Sequence, residues 1–133
     1  MSIPPRMIAR SDYMMGRDRE YPTDENMEVS TARLLYRVGK LLAAYALATK
    51  DFRQWSVSSG YRPGRYNMKY SPTSPHLTCQ AVDLVDTDRV LQRWILGNTQ
   101  ILEDCALYME DPTKTPTWTH LQIRPATKRI FMP

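Results

Sequence analysis

The chain is short of the residues that build specialised sites. Its 133 residues include two cysteines, two histidines, five glycines and two phenylalanines. Cys79 and Cys105 form no CxxC pair, which excludes a four-cysteine zinc knuckle and a disulfide-dense scaffold. Both are expected as buried free thiols. No apolar run reaches the ~18 residues that a membrane-spanning helix needs, so no membrane partner is expected. The first 30 residues, "MSIPPRMIARSDYMMGRDREYPTDENMEVS", contain no apolar core of a signal peptide. There is no basic run and no basic stripe interleaved with aromatics, so no nucleic-acid partner is expected. Eighteen Lys and Arg against 14 Asp and Glu give a net charge of +4. That mild excess suits simple solubility or an acidic polymer such as cell wall.

What is present fits one domain. Residues 1–25 are rich in Pro, Arg, Asp and Glu without periodicity and read as an extended or partly ordered arm. Residues 26–133 read as a single domain. A helix is predicted over about 28–50, with Leu34, Val38, Leu41 and Tyr45 on one stripe. Arg33, Arg37 and Lys40 lie on its other face and are expected in solvent. "WSVSSG" alternates as a short strand and ends in turn residues. A loop follows as far as His76, and loops of that length often carry function. "QAVDLVD" alternates as a second strand. A short helix capped by Thr87 or Asp88 runs to Gly97, and another covers about 99–104. "ALYME" and "WTHLQIR" read as strands of a hairpin, and "KRIFMP" as an edge strand. The fold expected is α+β, with a small, mainly antiparallel sheet, helices packed on one face and a zinc site on the other.

The zinc expectation comes from the faces of two strands. Strand side chains alternate between faces. If Val82 and Leu84 face the helices, Asp83 points the other way. If Leu121 and Ile123 face the helices, His120 does likewise. His76 ends the loop before the first of these strands and can fold back onto that surface. Two imidazoles and a carboxylate form the ligand set of an open zinc site, with a coordination position left over. Each residue also has an ordinary structural reading, as a hydrogen-bonded histidine or a turn aspartate. Geometry alone leaves the two readings level.

Three segments add a resemblance. "SGYRP" (59–63), "SPHLTCQAVD" (74–83) and "WTHLQ" (118–122) resemble, in order, motifs of the zinc D-alanyl-D-alanine carboxypeptidases. That family includes the L-alanyl-D-glutamate endopeptidases of phage lysins and is similar in fold to the hedgehog zinc domain. The central motif, S-x-H-x-x-G-x-A-x-D, matches at Ser74, His76, Ala81 and Asp83. The resemblance implies zinc held by His76, Asp83 and His120. It implies that Arg62 faces the site, binding a substrate carboxylate or a developing oxyanion. It gives Ser74 and Asn67 roles in substrate binding or loop orientation, where both also read as ordinary turn residues.

Two positions depart from the family pattern. Cys79 stands where the motif has glycine, so either the backbone differs or the site tolerates a side chain. It is also a candidate extra ligand. Thr117 stands where the family carries its general base, and a hydroxyl cannot do that work at neutral pH. Glu110, across the "PTKTPT" turn, is the favoured replacement. Asp111, an acid elsewhere, and no base at all are the alternatives. The function expected is a zinc metallopeptidase that hydrolyses a D-amino-acid-containing bond of peptidoglycan stem peptides. The alternative is a zinc-binding module without catalysis, serving as a structural or wall-binding part of a phage particle. The expected protein is a monomer, made in the cytoplasm and acting on the cell wall or within a virion.

Overall fold

In the computed structural model, which describes residues 8–133, the chain first forms a short helix, α1 (Arg10–Met14). The segment expected as an arm thus contributes to the core in its described part, and residues 1–7 of it lie outside the described residues. Ile8, Tyr13 and Met14 are buried in the main hydrophobic cluster. The Tyr13 hydroxyl donates to the carbonyl of Ala81 at 2.9 Å. The Tyr61 N–H donates to the Tyr13 carbonyl at 3.1 Å. The end of α1 lies so close to Gly60 that a Cβ there would collide with the Tyr13 backbone. Only glycine permits that approach.

The long helix α2 spans Glu25–Thr49. The Asp24 side chain caps it by accepting from the Met27 N–H at 2.8 Å. Glu25 and Glu28 in its first turn complement the helix dipole. Arg10 reaches from α1 to Glu28 at 2.8 Å, joining the two helices. The stripe of Leu34, Leu35, Val38, Leu41, Leu42 and Tyr45 is buried as its period requires. On its basic side Arg33 and Lys40 are exposed as expected, and Arg37 is half-buried. Arg37 donates to the Ala106 carbonyl at 3.2 Å and Lys40 to the Asp104 carbonyl at 3.4 Å.

The five strands are β1 (Val57–Ser59), β2 (Ala81–Val85), β3 (Tyr108–Glu110), β4 (Trp118–Gln122) and β5 (Ile130–Phe131). They form one sheet in the order β1-β2-β4-β3-β5. The pairings β1–β2, β2–β4 and β3–β4 are antiparallel, and β3–β5 is parallel. The fold is therefore α+β with a single mixed sheet. The parallel edge has a topological cause. After β4 the chain reverses once more and docks beside β3, not β4, so β5 runs in the direction of β3. Val82, Leu84 and Leu121 join the α2 stripe in one core.

Two short helices follow β2, namely α3 (Val90–Leu96) and α4 (Gln100–Asp104). The expected cap at Thr87 or Asp88 is not formed. Arg89 occupies the cap position with a φ of 61° and makes no side-chain cap. Asp86, at the end of β2, does the work from outside the helix. Its carboxylate accepts from the N–H groups of Leu91 at 3.2 Å and Gln92 at 2.9 Å, and from the Thr119 hydroxyl at 2.8 Å. One buried carboxylate thereby joins β2, β4 and α3.

Burial of the first helix has a measurable consequence. Met14→Ala removes a fully buried side chain and is expected to cost about 2–5 kcal/mol in urea unfolding. A loss below about 0.5 kcal/mol would mean that α1 is not part of the core.

Candidate metal centre

The site is assembled by sheet register and one tight turn. β2 and β4 pair Asp83 directly with His120. Alternation turns both away from Val82, Leu84 and Leu121. His76 arrives from a 3-10 turn, Pro75–Thr78, whose N-terminus is capped by Ser74. The Ser74 hydroxyl accepts from the His76 N–H at 3.2 Å. The turn closes at Cys79, which adopts φ 59° and ψ 35°. Cysteine thus takes the left-handed conformation that the glycine of the motif would supply, and its side chain goes into the core. Burial pushes the Cys79 thiol pKa up. Its sulfur is not among the converging ligand atoms, so the candidate extra ligand is struck out.

His76, Asp83 and His120 are all buried, and one ligand atom from each lies within 4.8 Å of the others. Asp83 sits between the two rings. Its Oδ1 is 2.8 Å from His120 Nδ1 and its Oδ2 is 3.3 Å from His76 Nε2. Behind the rings stand two more acceptors. His76 Nδ1 is 2.9 Å from the Gly60 carbonyl, and His120 Nε2 is 2.7 Å from Gln122 Oε1. A carbonyl only accepts, so the His76 proton resides on Nδ1 and its Nε2 lone pair faces Asp83. His120 has an acceptor at each nitrogen and, when neutral, one proton for the two. Neutral rings therefore leave the His76 Nε2 lone pair against Asp83 and one nitrogen of His120 facing an acceptor without a proton. A cation resolves this: either a proton or a metal ion. The donor set of two imidazoles and one carboxylate can hold a metal ion, and the acceptors behind the rings are the outer partners that metal-binding histidines need.

The electrostatics agree with a site built for positive charge. Burial alone would push the Asp83 carboxyl pKa up, but hydrogen bonds and charge from His120 and His76 overcome it and hold it below the ordinary carboxylate range. Burial alone would lower the His120 pKa, and Asp83, Gln122 and Glu110 reverse that.

The triad opens into a cleft of about 630 Å³, whose walls include Arg62, Ser74, Glu110, Trp118 and Phe131. β3 and β4 pair Met109 with Leu121, and the same register sets Glu110 beside His120. Glu110 is half-buried, and burial pushes its pKa up. Asp111 instead closes the turn, accepting from the Thr113 N–H at 2.9 Å and its hydroxyl at 2.7 Å. Thr117 is exposed and does not line the cleft.

Arg62, Asn67 and Ser74 form one network. Arg62 Nε donates to Asn67 Oδ1 at 3.1 Å and its terminal nitrogens to Ser74 Oγ at 3.1 Å and Ser59 Oγ at 3.3 Å. Asn67 in turn donates to the Ser71 carbonyl at 2.9 Å. The guanidinium lies 3.6 Å over the Tyr70 ring. Burial lowers the Arg62 pKa, with Asp83 opposing. Ser59, Tyr70 and Gln122 were not singled out from sequence. For Gln122 a signal existed: alternation sets it on the His120 face of its strand.

Comparison with protein-family models, curated proteins and solved structures finds no match to this chain. No helix among the described residues is long and apolar enough to cross a membrane.

The site sets the sign of a pH dependence. The His120 pKa is raised on folding, so its contribution to stability is full below the unfolded value of about 6.5 and is lost as pH rises through the folded value. The lowered Asp83 contributes above about pH 4 and is lost as pH falls through its folded value. A metal ion held there would compete with the proton on His120, so its binding would strengthen as pH rises. Thermal melts from pH 5.5 to 8 should show the metal-free protein losing stability toward pH 8. Any increase in Tm from an added divalent metal ion such as zinc should grow over the same range. A zinc effect that shrinks toward pH 8 would contradict this arrangement.

Proposed function

We propose that this chain is a zinc metallopeptidase that hydrolyses a D-amino-acid-containing bond in peptidoglycan stem peptides. The observation that carries the reading is the convergence of His76, Asp83 and His120 on the floor of a cleft walled by Glu110 and Arg62. The substrate class rests on the resemblance of "SGYRP", "SPHLTCQAVD" and "WTHLQ" to that family, and the +4 net charge suits a cell-wall target. When held by His76, Asp83 and His120 on the sheet face away from α2, zinc supplies Lewis acidity toward a peptide carbonyl and a water.

The chain's own groups supply the remaining chemistry. Glu110 is the general base in this reading. Its half-buried carboxylate beside His120 takes a proton from the attacking water and returns it to the leaving amine. Burial brings its pKa toward the working range of such a shuttle. Arg62 presents a fixed guanidinium. Ser59, Asn67 and Ser74 engage three of its five N–H groups, and the other two serve a substrate carboxylate or the developing oxyanion. The stack on Tyr70 keeps the group planar to the cleft wall.

One observation favours a second reading. Thr117 is exposed and outside the cleft, so the position at which the family keeps its base holds no acid. A zinc-bearing module without catalysis, in a phage particle, accounts for that. Zinc-loaded protein incubated with stem peptides and followed by mass spectrometry separates the two readings. Cleaved peptide is expected, and its absence at every zinc loading would establish the second. Glu110→Gln should keep its zinc while losing about 10²–10⁴-fold in turnover. Unchanged turnover would remove Glu110 from the role of base.

A further inference from the structure

Gln122 lines the cleft and contacts His120 from the end of β4. It is buried at 5% exposure, two residues after His120 on the same face of β4. A buried amide opposite an imidazole can act in either of two ways. If its NH₂ faces the ring, it donates to a ring lone pair. If its oxygen faces the ring, it accepts a ring N–H. These choices leave the proton of a neutral His120 on opposite nitrogens. The backbone decides between them. Gln122 Nε2 donates to the Arg124 carbonyl at 2.8 Å, and that partner can only accept. The amide oxygen is thereby turned toward His120 Nε2, at 2.7 Å. Rotating the amide would set two oxygens against each other at Arg124, so the carbonyl there fixes its orientation.

We propose that Gln122 is a positioning residue that selects the nitrogen by which His120 binds metal. With a metal ion at Asp83, Gln122 accepts the Nε2 proton and leaves Nδ1 as the ligating lone pair. Without it, the proton of a neutral His120 moves to Nδ1, where the charged Asp83 carboxylate accepts it at 2.8 Å. That ion-dipole bond fills the space a metal needs and removes one of three ligands. His76 has the same device in backbone form, with the Gly60 carbonyl holding the proton on Nδ1. The two histidines therefore bind through different nitrogens, Nε2 of His76 and Nδ1 of His120. A side chain sets the second choice, so substitution can change it. The inference rests on the metal-site reading above and extends it to which nitrogen of each histidine binds.

The test compares zinc dissociation constants of the full chain, measured by competition with a chromophoric chelator, for wild type, Gln122→Met and Gln122→Glu. Methionine keeps the volume and removes the acceptor. Zinc affinity should fall about 10–100-fold, the usual effect of losing such an outer partner. Glutamate keeps an acceptor facing Nε2 but loses the donor to the Arg124 carbonyl, so affinity should fall clearly less than in the Met variant. Circular-dichroism melts of the metal-free proteins check that each variant folds. Met and wild-type proteins with equal zinc affinity would overturn the lock and leave the metal site standing. Equal losses in Met and Glu variants would also overturn it, because packing alone would then explain the effect. A wild type that takes up no zinc would overturn both the lock and the metal reading.

Discussion

The structure turns on a carboxylate that cannot stand alone. Asp83 is buried in the second strand of the sheet, where an unpaired charge is costly. Two imidazoles flank it, and their far nitrogens are already committed to the Gly60 carbonyl and to Gln122. The arrangement carries more acceptors than protons whenever both rings are neutral. It is satisfied only by a bound cation. The donor types, beside an open cleft, could hold a metal ion as that cation.

Much of the scaffold serves this one demand. The β2–β4 register puts Asp83 and His120 side by side, and Asp86 stitches those two strands to α3. The approach of α1 to Gly60 fixes the carbonyl that orients His76. Cys79 ends the turn that carries His76, in a left-handed conformation costing about 1 kcal/mol for a residue with a Cβ. Its buried thiol recovers packing that glycine would lack. Cysteine there thus combines a left-handed backbone with a packed side chain.

The parts legible in the sequence were those governed by a period or a spacing. The α2 stripe follows its 3.6-residue repeat, and the faces of β2 and β4 follow alternation, which was enough to bring Asp83 and His120 together. His76 was placed with them by its position at the end of the loop before β2, and the resemblance of "SPHLTCQAVD" to the family motif pointed the same way. What stayed hidden depends on contacts far apart in the chain. Nothing local shows that Tyr13 hydrogen-bonds to Ala81, so a segment that looked like an arm is core. The Asp86 cap comes from a strand end and not from the helix's own first residues. Tyr70 stacks on Arg62 across a loop without periodicity. The parallel placement of β5 depends on which edge of the sheet is open, which no single strand encodes.

The central claim is that His76, Asp83 and His120 hold one metal ion through two nitrogens and a carboxylate oxygen. Zinc K-edge X-ray absorption on the stoichiometrically loaded protein addresses it most directly. The account predicts a first shell of nitrogen and oxygen only, at about 2.0–2.2 Å, with the outer scattering of two imidazole rings. A sulfur shell near 2.3 Å, or a shell without imidazole scattering, would contradict it.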